Sequence, residues 1–479
     1  MINTKQDLSA KTKILATLGP STQGVEGIRK LILAGIAGVR LNLSHGSYDF
    51  FEEIFNSIHI ACLEENSPLA VLVDVQGPKI RIGELEQPSI NLISGSSIEI
   101  TIDDIKGNEK IISTSYKQLA NDAEIGDQIL INDGLIRLTV TQKKAKSLVC
   151  EIVNGGVLTS KKGMNLPGMN LSTPSITEKD FKDLEFVIKH RIDYIALSFV
   201  RSANDVVELK KWLAEKGRNI PVIAKIEKKE AVDNLFEIIL ASDGIMVARG
   251  DLGVELPPQD VPVLQKSIIR QCNALGKLVI TATQMLESMI NSPIPTRAEA
   301  SDVANAVWDG TDVVMLSAET SVGKFPFRTV QIMNDIVKNA EQHQEDRTNN
   351  YFITPDSLQE NLFDSVGKAI VEISKQINAQ AIVVFTFEGR TARIISKYKP
   401  DSKIIAISNS FDTMNNLCLR WGVTSVYRET IDKEHLAIDD AKELILNAGL
   451  AKKGDLIIFT AGAPYSEKSR ANWLRFEVI

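Results

Sequence analysis

Four cysteines are all that this 479-residue chain contains, Cys62, Cys150, Cys272 and Cys418, and they stand far apart. There is no CxxC and no Cys/His cluster. Neither a disulfide framework nor a zinc site is suggested, and a reducing cytoplasm is expected. A basic excess is also missing. Lys plus Arg is 54 against 61 for Asp plus Glu, a net charge of -7. General affinity for nucleic acid or an anionic membrane is therefore not expected, and an anionic substrate needs a local positive site. No apolar run reaches the roughly 18 residues of a membrane span. The opening run MINTKQDLSAKTK lacks the apolar core of a signal peptide.

What is present is ordinary in bulk and regular in pattern. Hydrophobic residues make up 44% and charged residues 24%, a globular composition. Single cores stop growing near roughly 250–300 residues, so two or three domains are expected. Short β-branched runs alternate with amphipathic helical runs, the signature of βα units and a parallel sheet. The expected strands are Ile14–Thr17, Gly38–Leu43, Ala70–Val75, Tyr194–Phe199, Val222–Ile226, Gly244–Ala248, Leu278–Thr281 and Asp312–Met315. Helices such as Val25–Ala34, Phe50–Glu64, Asp205–Lys216, Ala231–Leu240, Val261–Leu275 and Arg297–Trp308 separate them. Eight such strands predict a closed (β/α)8 barrel.

One gap breaks the rhythm, from Pro78 to Thr173. It carries short strand-like runs and the turn signal Asn132-Asp133-Gly134. It reads as a small inserted β domain, a lid over the catalytic face. After residue 350 an α/β pattern restarts. The organisation expected is thus a TIM barrel over 1–77 and 174–345, an inserted small β-barrel lid over 78–173, and a C-terminal α/β regulatory domain over 351–479. Glu341–Asn350 serves as the linker.

Function in a barrel collects at the C-terminal strand ends. The second strand ends in Arg40-Leu41-Asn42-Leu43-Ser44-His45, and alternation puts Arg40, Asn42 and Ser44 on one face. The third ends at Asp74, the fourth at Ser198, and the fifth in Lys225-Ile226-Glu227. The sixth runs into Ala248-Arg249-Gly250-Asp251, the seventh into Thr283, and the eighth into Ser317-Ala318-Glu319. Alone, a Lys-x-Glu is an ordinary surface ion pair and an Arg-Gly-Asp an ordinary turn. Recurrence at nearly every strand end changes the reading, because those ends converge in space. Glu227 and Asp251 can hold one hard divalent cation. Arg40 and Lys225 can neutralise a transferring phosphoryl group, a reaction that needs mainly positioning and charge. Gly250 at a helix start can offer its N–H to an anion.

The runs Thr12–Ser21 (TKILATLGPS), Val39–Gly46 (VRLNLSHG), Asp74–Arg81 (DVQGPKIR), Lys161–Gly168 (KKGMNLPG) and Ile223–Glu227 (IAKIE) resemble those of pyruvate kinases. So do Ser242–Pro257, Thr281–Met289 and Pro295–Val322. The resemblance implies phosphoryl transfer from phosphoenolpyruvate to ADP, in glycolysis. It implies Lys225, Arg40 and Thr283 as catalytic groups. Arg40, Lys225, Ala248, Arg249, Gly250, Thr283 and Ser317 are implied to meet the substrate, and Asn42, His45, Arg81 and Lys162 the nucleotide. Glu227 and Asp251 match ligands of Mg²⁺ (or Mn²⁺). Asn42, Ser44 and Asp74 match ligands of a monovalent cation. The commoner pattern there is Asp-Thr-Lys-Gly-Pro-Glu; this chain has Asp74-Val75-Gln76-Gly77-Pro78-Lys79. Lysine at this place resembles the K⁺-independent members, so K⁺ is expected to be dispensable. Thr386, Glu388, Gly389, Arg390 and Thr391 resemble the loop that takes the phosphate of an allosteric effector. A homotetramer is implied. A barrel lyase using a metal enolate, and a non-catalytic phosphate sensor, remain as alternatives.

Overall fold

The computed structural model describes residues 10–44, 46–169, 171–343, 353, 357–429, 434–462 and 471–479. The barrel strands are β1 (Lys13–Thr17), β2 (Gly38–Asn42), β3 (Ala70–Asp74), β4 (Tyr194–Leu197), β5 (Val222–Ile226), β6 (Gly244–Ala248), β7 (Leu278–Ala282) and β8 (Val313–Leu316). They pair in parallel in the closed order β1-β8-β7-β6-β5-β4-β3-β2. The eight-stranded barrel expected from the sequence is present.

Strand alternation sorts the core in two. Ile14, Val39, Val71, Ile195, Val222 and Val279 face outward, in one cluster with the surrounding helices. Leu15, Leu72, Tyr194, Ile223, Met246 and Ile280 fill the barrel interior. At the N-terminal end, an aspartate just before β4, β6 and β8 caps the neighbouring strand. Asp193, Asp243 and Asp312 accept the N–H groups of Val71, Val222 and Val279 at 2.8, 2.9 and 2.9 Å. These bonds satisfy strand-end amides that the ladder leaves open.

Between β3 and β4 the chain builds a separate β unit with its own core, Ile98, Leu138 and Leu148 among it. Its pairing is a six-stranded sheet and a two-stranded ribbon, Ser89–Leu92 with Gly156–Thr159, rather than one ring of ladder bonds. The hairpin of Gln128–Ile131 and Ile136–Lys143 turns through Asn132 and Asp133, both with φ of 56°, in the left-handed pattern that twisted hairpins prefer.

The last unit is a five-stranded sheet. Its strands are β9 (Ala381–Phe385), β10 (Lys403–Ser408), β11 (Val423–Tyr427), β12 (Leu456–Ala461) and β13 (Trp473–Val478). The order is β11-β10-β9-β12-β13, parallel except for β13 at the edge. This unit corks the N-terminal end of the barrel. Cys418 and Leu419 join the interior cluster of Leu15 and Tyr194. The Tyr194 hydroxyl donates to the Asn416 carbonyl at 2.7 Å, and Asn415 Oδ1 accepts from Leu69 N–H at 3.3 Å. Most of the expected linker, 344–350, lies outside the described residues.

Candidate active site

The inward row of β2, β3 and β5 ends in charge. Arg40, Asp74 and Lys225 continue the parity of Gly38, Leu72 and Ile223, so their side chains enter the mouth. Asp74 is 1% exposed. Its Oδ2 accepts from Arg40 Nε at 2.8 Å and lies 2.7 Å from Arg40 Nη2. Its Oδ1 lies 3.3 Å from the Lys225 ammonium. Lys225 Nζ is 2.7 Å from Glu227 Oε1 and donates to the Ser198 hydroxyl at 2.8 Å. Ser198 Oγ lies in turn 2.8 Å from the Val75 carbonyl. Glu227 Oε2 accepts the Phe199 N–H at 2.8 Å. Arg40 also reaches Thr17 Oγ1 at 3.2 Å. Four adjacent strands therefore fix one cationic pair around two carboxylates.

The electrostatics follow from burial and pairing. Burial acts to raise the Asp74 carboxyl, but the charges of Lys225 and Arg40 together outweigh it and hold the group below the usual range. Burial likewise opposes the Lys225 charge; Asp74 and Glu227 together outweigh it and hold the ammonium above its ordinary value. Glu227 is raised, chiefly by burial, with Lys225 offsetting part and the like charge of Asp251 adding to the rise. Asp251 sits in the first turn of helix Arg249–Glu255 and lines a cavity of 70 Å³ beside Lys79, Asp133, Phe199 and Lys228. Like charge between Glu227 and Asp251 is what a divalent cation relieves, and Mg²⁺ takes one or two carboxylates with substrate oxygens completing its shell. The donor set fits such an ion. Among the described residues no group of three or more His, Cys, Asp or Glu forms a self-sufficient metal cage.

Strained backbone borders the same mouth. Phe199, Thr283 and Gln284 have φ of 55°, 67° and 54°, unusual for residues with a Cβ. Such strain persists where the surroundings over-determine it, as at functional sites. Thr283 Oγ1 accepts the Gly250 N–H at 2.8 Å and donates to the Ala282 carbonyl at 2.7 Å. Arg249 is spent on the same turn. Its guanidinium reaches the carbonyls of Ala282 and Thr283 at 3.2 and 2.7 Å and Asp302 Oδ1 at 2.7 Å. Arg249 therefore shapes the end of β7, and only its backbone is left to meet a substrate beside buried Ala248. Ser317 opens the eighth mouth loop with its N–H on Glu319 Oε2 at 2.7 Å.

The inserted β unit joins the barrel at two crossings, each held by hydrogen bonds. At one, the Gly77 N–H goes to Asp180 Oδ1 at 3.0 Å. Gly77 has φ of 66°, and a Cβ there would stand 2.7 Å from Phe199 Cδ2. At the other, Arg201 donates to the carbonyls of Leu171 and Thr173 at 2.5 and 2.6 Å. Arg81, half-buried, reaches the Lys161 carbonyl at 3.0 Å and pairs with Gly163, next to Lys162. Lys79 is exposed and lines the cavity over Asp251. Among the described contacts, the cations against Asp74 are Arg40 and Lys225. Asn42 Oδ1 accepts the Ser44 N–H at 3.1 Å. His45 lies outside the described residues. Arg201, Lys228 and Asp133 were not singled out as site residues in the sequence. Only the turn signal at Asp133 hinted at its place, on a hairpin tip close to Val254 of the barrel.

The loop after β9 is largely self-satisfied. Thr386 Oγ1 accepts the Gly389 N–H at 3.0 Å, and Arg390 pairs with Glu388 at 2.6 Å. Thr386 and Thr391 are buried.

Comparison with known proteins agrees along most of the chain. The family model described as pyruvate kinase, barrel domain, matches residues 9–330. The one described as pyruvate kinase, alpha/beta domain, matches residues 364–476. Curated pyruvate kinases of Staphylococcus aureus strains USA300 and COL are 42% identical over 477 residues, covering 98% of this chain and 80% of theirs. A solved pyruvate kinase from Cryptosporidium parvum superposes with a TM-score of 0.92 at 37% identity, over 98% of this chain and 96% of that one.

Proposed function

The chain belongs to the pyruvate kinase family, and on that premise we propose that the cluster of Asp74, Lys225 and Glu227 is where it transfers the phosphoryl group of phosphoenolpyruvate to ADP. The products are pyruvate and ATP. One arrangement supports this reading above all: an ammonium fixed 2.7 Å from one buried carboxylate and 3.3 Å from another, at the open end of a barrel.

Lys225 and Arg40 neutralise charge on the transferring phosphoryl group, the dominant need in a reaction with little covalent chemistry. Ser198 fixes the ammonium of Lys225 from the neighbouring strand. Glu227 and Asp251 hold Mg²⁺ or Mn²⁺, which when bound supplies charge neutralisation on substrate oxygens. The backbone of Ala248, Arg249 and Gly250 meets the substrate carboxylate, and Ser317 completes that wall. Thr283 orients the proton delivered to the enolate carbon. Asn42, His45, Arg81 and Lys162 face the nucleotide. The ammonium of Lys79 replaces the monovalent cation that Asn42, Ser44 and Asp74 would otherwise hold, carried inward by lid closure. The loop Thr386, Glu388, Gly389, Arg390 and Thr391 serves a phosphorylated effector, in a cytoplasmic homotetramer.

A steady-state assay with phosphoenolpyruvate, ADP and Mg²⁺, run with and without K⁺, tests the reading. ATP formation supports it. Retro-aldol cleavage without ATP formation would favour a lyase, and ligand binding without turnover a sensor.

A further inference from the structure

One buried ion pair beside the mouth has no part in the chemistry above. Lys228 directly follows Glu227, and its ammonium stands 2.5 Å from Glu255 Oε1. The two side chains are 8% and 1% exposed. Glu255 closes the helix Arg249–Glu255, whose first turn carries Asp251. Four residues apart, Asp251 and Glu255 lie on one face of that helix. The pair therefore joins the residue next to one carboxylate of the mouth to the helix that carries the other. The same ammonium stands 5.9 Å from the centre of the Phe199 ring, and the Phe199 N–H is the one that Glu227 Oε2 accepts. Lys228 and Asp251 line one cavity.

As a stabilising contact the pair is a poor one. A buried ion pair recovers its desolvation cost only when the remaining lone pairs find donors. Glu255 Oε2 is buried and has no hydrogen-bond partner among the described residues. Burial pushes the Glu255 carboxyl up; Lys228 offsets part, the like charge of Glu230 adds to the rise, and Asn165 lowers it slightly. Glu230 Oε2 is likewise buried and without a partner among the described residues. Two apolar side chains of similar volume would pack there at less cost. What they would lack is direction, for an ammonium on a carboxylate fixes the distance between the strand end and the helix. That distance needs fixing, because Glu227 and Asp251 repel each other until an ion lies between them.

We infer that the Lys228–Glu255 pair is a positioning clamp that holds Asp251 and Glu227 in place for a divalent cation. The inference rests on reading those two carboxylates as the ligands of that ion. Lys228 and Glu255 act through the residues they hold, as the outer partners of metal ligands do. A clamp and a bare charge predict opposite signs. Through space, loss of the Lys228 ammonium tightens a nearby cation site, since a repelling charge has gone. Through position, the same loss weakens the site, because the helix carrying Asp251 is released.

The test measures Mn²⁺ binding without substrates, by the electron-spin signal of the free ion, and then the Mn²⁺ dependence of the rate. The parent chain is compared with E227Q, K228M, K228M/E255Q and K229M. Lys229 lies one residue on, is exposed, and pairs with Asp233 at 3.0 Å within its own helix. K229M thus removes the same charge without touching the clamp. K228M should bind Mn²⁺ about tenfold more weakly, the scale of losing an outer partner of a metal ligand. K228M/E255Q leaves neither charge without its partner; it should show about the same loss, and it serves as the reading if K228M folds poorly. K229M should stay within about twofold, since an exposed pair contributes little. At saturating Mn²⁺, kcat and the KM for phosphoenolpyruvate should return to within about threefold of the parent. A merely structural contact would lower the melting point and leave the Mn²⁺ affinity alone. Loss in E227Q with parent-like or tighter binding in K228M and in the double variant would overturn the clamp alone. Equal loss in K229M would also overturn it, since the effect would not belong to the pair. Undiminished binding in E227Q would mean that the ligands are others, and the clamp would fall with them.

Discussion

The Lys225 ammonium stands 2.7 Å from Glu227 Oε1, on the side chain two residues further along the same strand direction. The pair exists because a strand repeats its face at every second residue, so a Lys-x-Glu at the end of β5 must aim both groups into the mouth. The same geometry separates their tasks. Glu227 is held by the Phe199 N–H and shares its surroundings with Asp251, while Lys225 leans also on Ser198 and Asp74.

The first prediction follows. Lys225→Met should lower kcat by about 10²–10³, the scale of losing one preorganised electrostatic group. KM for phosphoenolpyruvate should change less, because the charge matters most as the phosphoryl group moves. A folded variant with kcat within about threefold of the parent, roughly 0.7 kcal/mol, removes Lys225 from the chemistry.

The second concerns the hinge at Gly77. An alanine there meets two costs: φ of 66°, and a Cβ 2.7 Å from Phe199 Cδ2. Relief needs a shift of the Phe199 ring or of its backbone, and that backbone carries the N–H that Glu227 accepts. Gly77→Ala should therefore reduce kcat about tenfold or more, near 1.4 kcal/mol, and lower the Tm. Gly95→Ala is the control, since Gly95 has φ of 84° but nothing within 4 Å of its added Cβ. It should cost stability alone. Equal activity in Gly77→Ala and the parent would show that the hinge does not position the site.

Much of this was legible in residue order, and the exceptions have local causes. Val222–Ile226, Gly244–Ala248 and the helices Val25–Ala34 and Val261–Leu275 fall where periodicity puts them, and the structure shows Gly35 and Gly276 ending the two helices in left-handed conformation. The expected strand Tyr194–Phe199 instead ends at Leu197, because Phe199 adopts positive φ to serve Glu227. The expected helix Ala231–Leu240 is two, Lys229–Asp233 and Leu235–Ala241, broken at Asn234, whose side chain donates to the Arg201 carbonyl. That bond is tertiary, and no propensity foretells it. The edge strand Trp473–Val478 escaped reading because it has little buried surface to impose a pattern. At the site, the resemblance implied a backbone contact to substrate at Arg249, and what residue order did not show is that its guanidinium is held by the end of β7.

The third prediction is a pH effect away from the mouth. Asp193 is buried, and burial pushes its carboxyl up to about 6, with Arg191 offsetting part. A carboxyl raised on folding contributes stability at low pH and loses it as pH climbs from about 4 through 6. Above that the ionised group costs about 3 kcal/mol relative to the neutral one. Asp193→Asn keeps an oxygen for the Val71 N–H and removes the charge. The variant should melt higher than the parent at pH 7.5, and its advantage at pH 5 should be smaller. A lower Tm at pH 7.5 would mean that the Arg191 attraction exceeds the cost of burial.

The fourth prediction concerns Lys79. In the commoner pattern this place holds a glutamate, and a monovalent cation sits with Asn42, Ser44 and Asp74. Here Asp74 already has Arg40 and Lys225 against it, while Lys79 stands exposed at the lid hinge and lines the cavity over Asp251. Lysine carries a point charge on a flexible stem, so its ammonium can travel inward as the lid closes. A chain that brings its own charge has no need of the ion. The enzyme should therefore reach near-full rate with tetramethylammonium as the sole monovalent cation. Lys79→Glu should lose activity in that buffer and recover part of it on adding K⁺, because the carboxylate restores a charge balance that only an ion can complete. The parent rate should be nearly flat in K⁺. A rise of more than about tenfold, roughly 1.4 kcal/mol of barrier, would mean that Lys79 stays outside and that the cation is still required.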